Sequence, residues 1–268
     1  MNAHLGNIIR KSINSLFCIF ILLFMNHSYS QTVINVALDT FPPMYEPNGN
    51  VGLTADLLKE ITHQSGIQFN ISSMEWSRAK TELEQSRVDL IGHAALLKEE
   101  LDTIKVDVLA LNISIPVYNA IFSTNPTLID INPTTATPEK FLQLSQIGTP
   151  FGGKEFQSKL LLVPPENFHE ARLAGLVKML SAERINGVSF EFISVITMVQ
   201  KMNLRGIYYQ HYPTSPIQVG YLVRDNKEGR ALKKKLDDVI NQINLKNLFA
   251  TYWYYINFHS NGKVPLSH

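Results

Sequence analysis

The sequence predicts an α/β fold of two lobes, each a mainly parallel sheet flanked by helices. Three observations predict it. Strand-like and helix-like patterns alternate as β-α-β-α-β over residues 32–96. The alternation then stops at residues 125–138, a stretch rich in Pro, Thr and Asn that has no period. It resumes at residue 145 as a second β-α-β-α unit. Two such units joined by extended segments leave a cleft between them. In open α/β sheets, ligands sit beyond the carboxyl ends of the strands.

The elements follow in order. "TVINVAL" (32–38) is a β-branched run and reads as a strand. Residues 53–65 carry Leu57, Leu58 and Ile61 at helical spacing, with Thr54 as the expected N-cap and Gly66 as the stop. "IQFNISSMEW" is strand-like, "SRAKTELEQS" a short helix capped by Ser77, and "VDLIGHAAL" a buried strand. Thr137-Pro138 is an N-cap and N1 pair that predicts a short helix to Leu144. "SQIGTPFGGKEFQSKLLL" gives strand, glycine-containing loop and helix. "FHEARLAGLVKMLSAERINGVSF" gives a helix and a strand, and "EFISVITMVQKM" a further helix. "IQVGYLVRD" is a strand, and residues 228–243 and 246–255 are two closing helices.

The first thirty residues read as a secretory signal peptide. Arg10 and Lys11 form a basic start, "SLFCIFILLFM" an apolar centre too short for a comfortable membrane span, and Ser28-Tyr29-Ser30 a cleavage site before Gln31. Cleavage removes the only cysteine, Cys18, so an exported chain has no disulfides and depends on its core alone. It also removes two cations and no acid, leaving 22 basic against 23 acidic residues. Near neutrality argues against a nucleic-acid or membrane-surface partner. No second apolar run approaches twenty residues, so a soluble periplasmic protein is expected, and a monomer.

Enzyme and metal signatures are missing. "GVSFE" is not a G-x-S-x-G elbow, and "HEARL" begins like a zinc helix but carries Leu173 where the second His would stand. The eight histidines show no metal spacing, and no cofactor is expected. Candidate binding residues cluster instead at strand ends. Phe41 and Tyr45 belong to a Pro-aromatic turn after the first strand, where rings serve either corner packing or a ligand wall. Arg78 stands in the first turn of its helix, poorly placed for the macrodipole, which leaves an anionic ligand group or plain exposure as its reason. Phe151 and Gly152 lie in "GTPFGG" before a helix, whose backbone N–H groups could hold an anion.

Four segments in order, "VINVALDTFPPMYEPNGNVGLTADLLKEI", "MEWSRAKTELEQSRVDLIGHA", "AERINGVSFEF" and "VGYLVRDNKEGRALKKKLDDVINQINLKNLFATYW", resemble the family 3 extracellular solute-binding proteins. These are polar-amino-acid receptors of ABC importers with the type II periplasmic binding fold. The resemblance implies two crossing strands, with lobe one at 31–116 and 219–268, lobe two at 117–218, and hinges near 115–119 and 215–218. It implies that Asp39, Trp76 and Glu191 contact the ligand, and that the backbone at His93 and Ala94 does so too. His93 otherwise reads as a core histidine. The implied partners are a small-molecule ligand and either an ABC permease or a membrane sensor. A periplasmic dehydratase-like enzyme on the same fold is the third reading. One departure stands out. The family's carboxylate-clamping arginine falls at Leu101 and its preceding hydroxyl near Leu96, with Lys98 or Lys105 as the available substitutes. A ligand with an amine or several hydroxyls is therefore expected in place of an ordinary α-amino acid.

Overall fold

The computed structural model describes residues 33–129, 145–211, 216–248 and 250. The signal peptide, the helix expected at 138–144, Ser215 of the second hinge segment, and the end of the last helix with Trp253 lie outside them.

The chain runs β1 (Val33–Leu38), α1 (Leu53–Ser65), β2 (Gln68–Ser73), α2 (Trp76–Glu84), β3 (Leu90–Ala95), α3 (Lys98–Leu101), β4 (Val108–Val117) and β5 (Asn119–Ser123). A 3-10 turn follows at Pro126–Leu128, and a second lies at Pro165–Asn167 in the other half. The second half is β6 (Ile147–Thr149), α4 (Lys154–Leu161), β7 (Phe168–Glu170), α5 (Leu173–Ser181), β8 (Gly187–Glu191), α6 (Phe192–Lys201), β9 (Tyr208–His211), β10 (Ile217–Arg224), α7 (Lys227–Ile240) and α8 (Leu245–Leu248). Two five-stranded sheets result, ordered β2-β1-β3-β10-β4 and β7-β6-β8-β5-β9.

Both sheets are mixed, where the sequence predicts mainly parallel ones. In the first, β1 runs parallel to β2 and β3, but β10 lies antiparallel between β3 and β4. In the second, β6 is parallel to β7 and β8, while β5 is antiparallel to β8 and β9. The antiparallel strands come from the two crossings. The chain leaves the first sheet between Val117 and Asn119 and returns to it at Ile217, which pairs with Val117.

The apolar pattern explains the core. Ile34, Val36 and Leu38 on one face of β1 are buried, as are Leu57, Leu58 and Ile61 on α1. Each such side chain contributes about 1.5–3 kcal/mol on burial. In the second half, Phe122, Phe192 and Tyr209 pack together, with Phe192 and Tyr209 centroids 4.7 Å apart. Gly66 ends α1 in the left-handed region that glycine adopts without a Cβ penalty.

Three local expectations are corrected. Thr54 does not cap α1. Gly52 precedes the helix and Thr54 sits inside it, fully buried, where its hydroxyl serves distant partners. Ser77 does not cap α2, which starts one residue earlier and whose Trp76 N–H finds its acceptor on Asp39, 37 residues away. Residues 168–170 form β7 instead of a helix start, because they pair with β6.

Candidate functional site

The carboxyl ends of β1, β3, β6 and β8 converge on one cavity of about 110 Å³. A cavity of roughly 150 Å³ accepts benzene, so this one suits a ligand of a few heavy atoms. The first half supplies Asp39 and Phe41 after β1, Trp76 at the start of α2, His93 and Ala95 on β3, and Glu100 on α3. The second half supplies Asn119, the loop 150–153, Phe156 and Gln157 on α4, and Phe190 and Glu191 at the end of β8. Val117, Ile217 and Val219 of the crossing strands form the floor.

Asp39 is fixed by two backbone donors. The Thr40 N–H reaches Oδ1 at 2.6 Å and the Trp76 N–H reaches Oδ2 at 3.1 Å. Burial pushes its carboxyl up to about 6, against the pull of those two hydrogen bonds. Glu191 caps α6 in the same manner, accepting from Ile193 N–H at 2.9 Å and Ser194 N–H at 2.7 Å. It is 2% exposed, and burial pushes it up to about 7. Glu191 thus caps a helix and stands on the cavity wall at once.

His93 sits at φ +66° within β3, a conformation few non-glycine residues adopt. Opposite it the β3–β10 ladder shifts register between Gly220 and Tyr221. Its Nε2 lies 2.8 Å from Thr54 Oγ1, which lies 2.8 Å from the Tyr221 hydroxyl. Its Nδ1 is buried with no hydrogen-bond partner. Burial depresses His93 to about 3, so the ring is neutral at physiological pH. Burial pushes Tyr221 up to about 12, so the hydroxyl stays protonated.

The walls are aromatic. Phe41 lies 5.0 Å from the His93 ring and meets Phe190 edge-on at 5.5 Å, joining the two halves. Trp76 donates its Nε1–H to Glu100 Oε1 at 2.6 Å. The same oxygen accepts from Lys80 at 3.2 Å, and the Lys80 ammonium also lies 5.5 Å from the centre of the Trp76 ring.

Of the residues singled out in the sequence, Asp39, Phe41, Trp76, His93, Phe151, Gly152 and Glu191 line this cavity. Three do not. Tyr45 is 3% exposed, bridged to Phe41 through both backbone groups and packed into the core. The Ala94 side chain points to the opposite face of β3, against Ala79 and Leu83, since strand side chains alternate, so only its backbone, the part expected to meet a ligand, lies next to the cavity-facing His93 and Ala95. The Arg78 side chain is 70% exposed, 3.6 Å from Glu82, and borders a depression outside the cavity that Arg172 and Glu75 share.

The anion-holding reading of "GTPFGG" is also corrected. Gly152 and Lys154 do direct their N–H groups at an anion, but it is the chain's own Glu170, at 2.8 and 3.1 Å. Neither Lys98 nor Lys105 lines the cavity. Lys98 pairs with Asp102 on the surface at 2.6 Å, and Lys105 is exposed. Glu100 lines the cavity without any signal for it in the sequence. It stands beside Leu101, is 5% exposed and brings an acid to the wall. Phe156, Phe190 and Asn119 line it as well, and only the adjacency of Phe190 to Glu191 signals any of them.

No family model matches the chain, and no curated protein sequence does either. Solved structures do. A histidine kinase sensor domain with similarity to periplasmic binding proteins superposes with a TM-score of 0.68 at 16% identity, covering 84% of this chain and 96% of that one. A mutant of the arginine-binding protein of T. maritima gives 0.65 at 21% identity, with 83% and 95% covered. The substrate-binding protein of an amino acid ABC transporter gives 0.62 at 14%, with 82% and 96% covered. The chain thus has the α/β fold of the periplasmic binding proteins, two mixed sheets flanked by helices. Among the described residues no helix is long and apolar enough to cross a membrane, and no group of acids and histidines could hold a metal ion.

Proposed function

We propose that this is a periplasmic solute-binding protein, exported by residues 1–30, that captures a small polar solute in the cavity between its two sheets. The supporting observation is the composition of that cavity. Both sheets end on it, the crossing strands floor it, and its polar groups are fixed in advance by backbone hydrogen bonds. Lobe one is read as residues 31–116 and 219–268 and lobe two as 117–218. They close on the ligand by rotation near 115–119 and 215–218.

Delivery to an ABC permease fits the likeness to an amino acid transporter's binding protein. Signalling to a membrane sensor is the second reading, favoured by the likeness to a histidine kinase sensor domain. We read the chain as a binder and not an enzyme. Asp39 and Glu191 are committed to helix N–H groups and His93 to Thr54, an arrangement suited to holding a solute. A thermal-shift screen against amino acids, amines and small sugars tests the binding role. A ligand at a hundred times its dissociation constant adds roughly 2.7 kcal/mol. At about 2–4 °C per kcal/mol the shift is readily seen. Turnover of the bound compound would overturn the non-enzymatic reading, and Met1 retained on exported protein would overturn the targeting.

A further inference from the structure

Resting on the reading of this cavity as the solute site, we infer that the solute is a small organic cation, an amine or quaternary ammonium without a carboxylate, seated on the aromatic walls with Asp39 and Glu191 as its counter-charges. The argument is an accounting of charge. No lysine or arginine lines the cavity, and three cations beside it already have carboxylates. Arg78 has Glu82, Arg172 has Glu75, and Lys80 has Glu100. The backbone donors that could hold an anion at Gly152 and Lys154 are taken by Glu170. His93, the ring that could have added a positive charge, is half-buried and hydrogen-bonded to Thr54, and its desolvation keeps it neutral. An anionic ligand group would thus enter a site with no unpaired cation to meet it, and burying a charge unpaired is costly.

The acids stand the other way. Asp39 and Glu191 accept hydrogen bonds from backbone N–H groups and lie in no salt bridge among the described residues; the Arg172 guanidinium, itself paired with Glu75, exerts only a minor pull on Asp39, smaller than the burial effect. Both lie on the cavity wall between the rings of Phe41, Trp76, Phe151 and Phe190. Aromatic faces attract cations through their quadrupole, most strongly when water is excluded. Burial holds both carboxyls above their ordinary range, which is the state of acids awaiting a counter-charge, and a bound cation would draw both down.

The test is titration calorimetry on the purified chain with three linked comparisons. Choline is compared with 3,3-dimethylbutan-1-ol, its uncharged isostere. n-Butylamine is compared with n-butanol, and with norvaline, which is the same skeleton carrying a carboxylate. At least one cation should bind about tenfold or more tighter than its uncharged counterpart, and n-butylamine should exceed norvaline. Asp39→Asn removes the charge and keeps one of the two backbone hydrogen bonds, since Asn has a single acceptor oxygen; it should weaken the cation about tenfold and the alcohol by clearly less. Trp76→Ala should weaken both. Equal binding of cation and alcohol, or tighter binding of norvaline, overturns the inference. If that binding is lost in Trp76→Ala, the cavity still stands as the solute site. If none of the five compounds binds, the inference fails. Binding of an amino acid or sugar in the thermal-shift screen, abolished by Trp76→Ala, would then show that the solute-binding reading survives it.

Discussion

Asp39 and Glu191 each do two things at once, and their protonation should show in the stability of the ligand-free protein. Their carboxyls titrate near 6 and 7 in the fold, above their ordinary 3.8 and 4.5. The folded state therefore binds more protons than the unfolded state across that window. Their contribution is fully present below about pH 4 and is lost as pH rises to about 7. Urea midpoints measured from pH 4 to 8 should fall less steeply in Asp39→Asn than in the wild type, and identical slopes would contradict the assignment. Glu191→Ala should cost about 1–2 kcal/mol, because the Ile193 and Ser194 N–H groups lose their acceptor, with Glu191→Gln recovering part of it. These acids were legible because each ends a strand and opens a turn or helix. Glu100 was not, because α3 has a single turn, too short for periodicity to show which side faces inward. The first-turn position of Arg78 does not show which way its side chain runs, and in the fold it runs along the surface toward Glu82.

At the scale of elements, long-range partners replaced the local ones that sequence reading supplies. Helix α2 takes its acceptor from the end of β1, and α1 is tied to β3 and β10 through one hydroxyl. Thr54→Val keeps the shape of that side chain but leaves the His93 Nε2 and the Tyr221 hydroxyl unsatisfied. A loss of about 1–3 kcal/mol in equilibrium denaturation is expected. Gly152 brings the second half against the start of α2. Its φ is +82°, and a Cβ there would lie 3.3 Å from Ser77 N and 3.4 Å from Trp76 Cδ1. Gly152→Val should therefore lower ligand affinity by more than tenfold, roughly, through strain in the left-handed region and a wedge between the walls. Calorimetry on the folded variant measures this, and unchanged affinity would mean the loop moves aside at no cost. The long strands and helices were legible from their periods. Strands β7 and β9, with three and four residues, carry too few side chains for alternation to register.

Across the whole molecule, the βαβ grammar announced two sheets but not the direction of the returning strands. Pairing of β4 with β10 joins residues about a hundred positions apart, and nothing local in either strand encodes it. The same distance in sequence separates the contacts that hold the two halves together. Glu75 meets Arg172 at 3.5 Å, Glu46 pairs with Lys201, and Phe41 meets Phe190. If the halves rotate about the crossings, these are the contacts that break on opening. Exposed ion pairs contribute roughly 0–1 kcal/mol each, and salt weakens them further. Removing both should therefore shift the balance toward an open form by up to about thirtyfold, since 1.4 kcal/mol is a factor of ten. The double variant Arg172→Ala, Lys201→Ala should show a larger ligand-free radius of gyration in small-angle scattering than the wild type. It should bind ligand more weakly and contract to the wild-type radius at saturation. High salt should reproduce part of the expansion in the wild type and little in the variant. If the radius of gyration is the same for both proteins with and without ligand, the halves do not rotate, and the ion pairs are surface contacts without a part in closure.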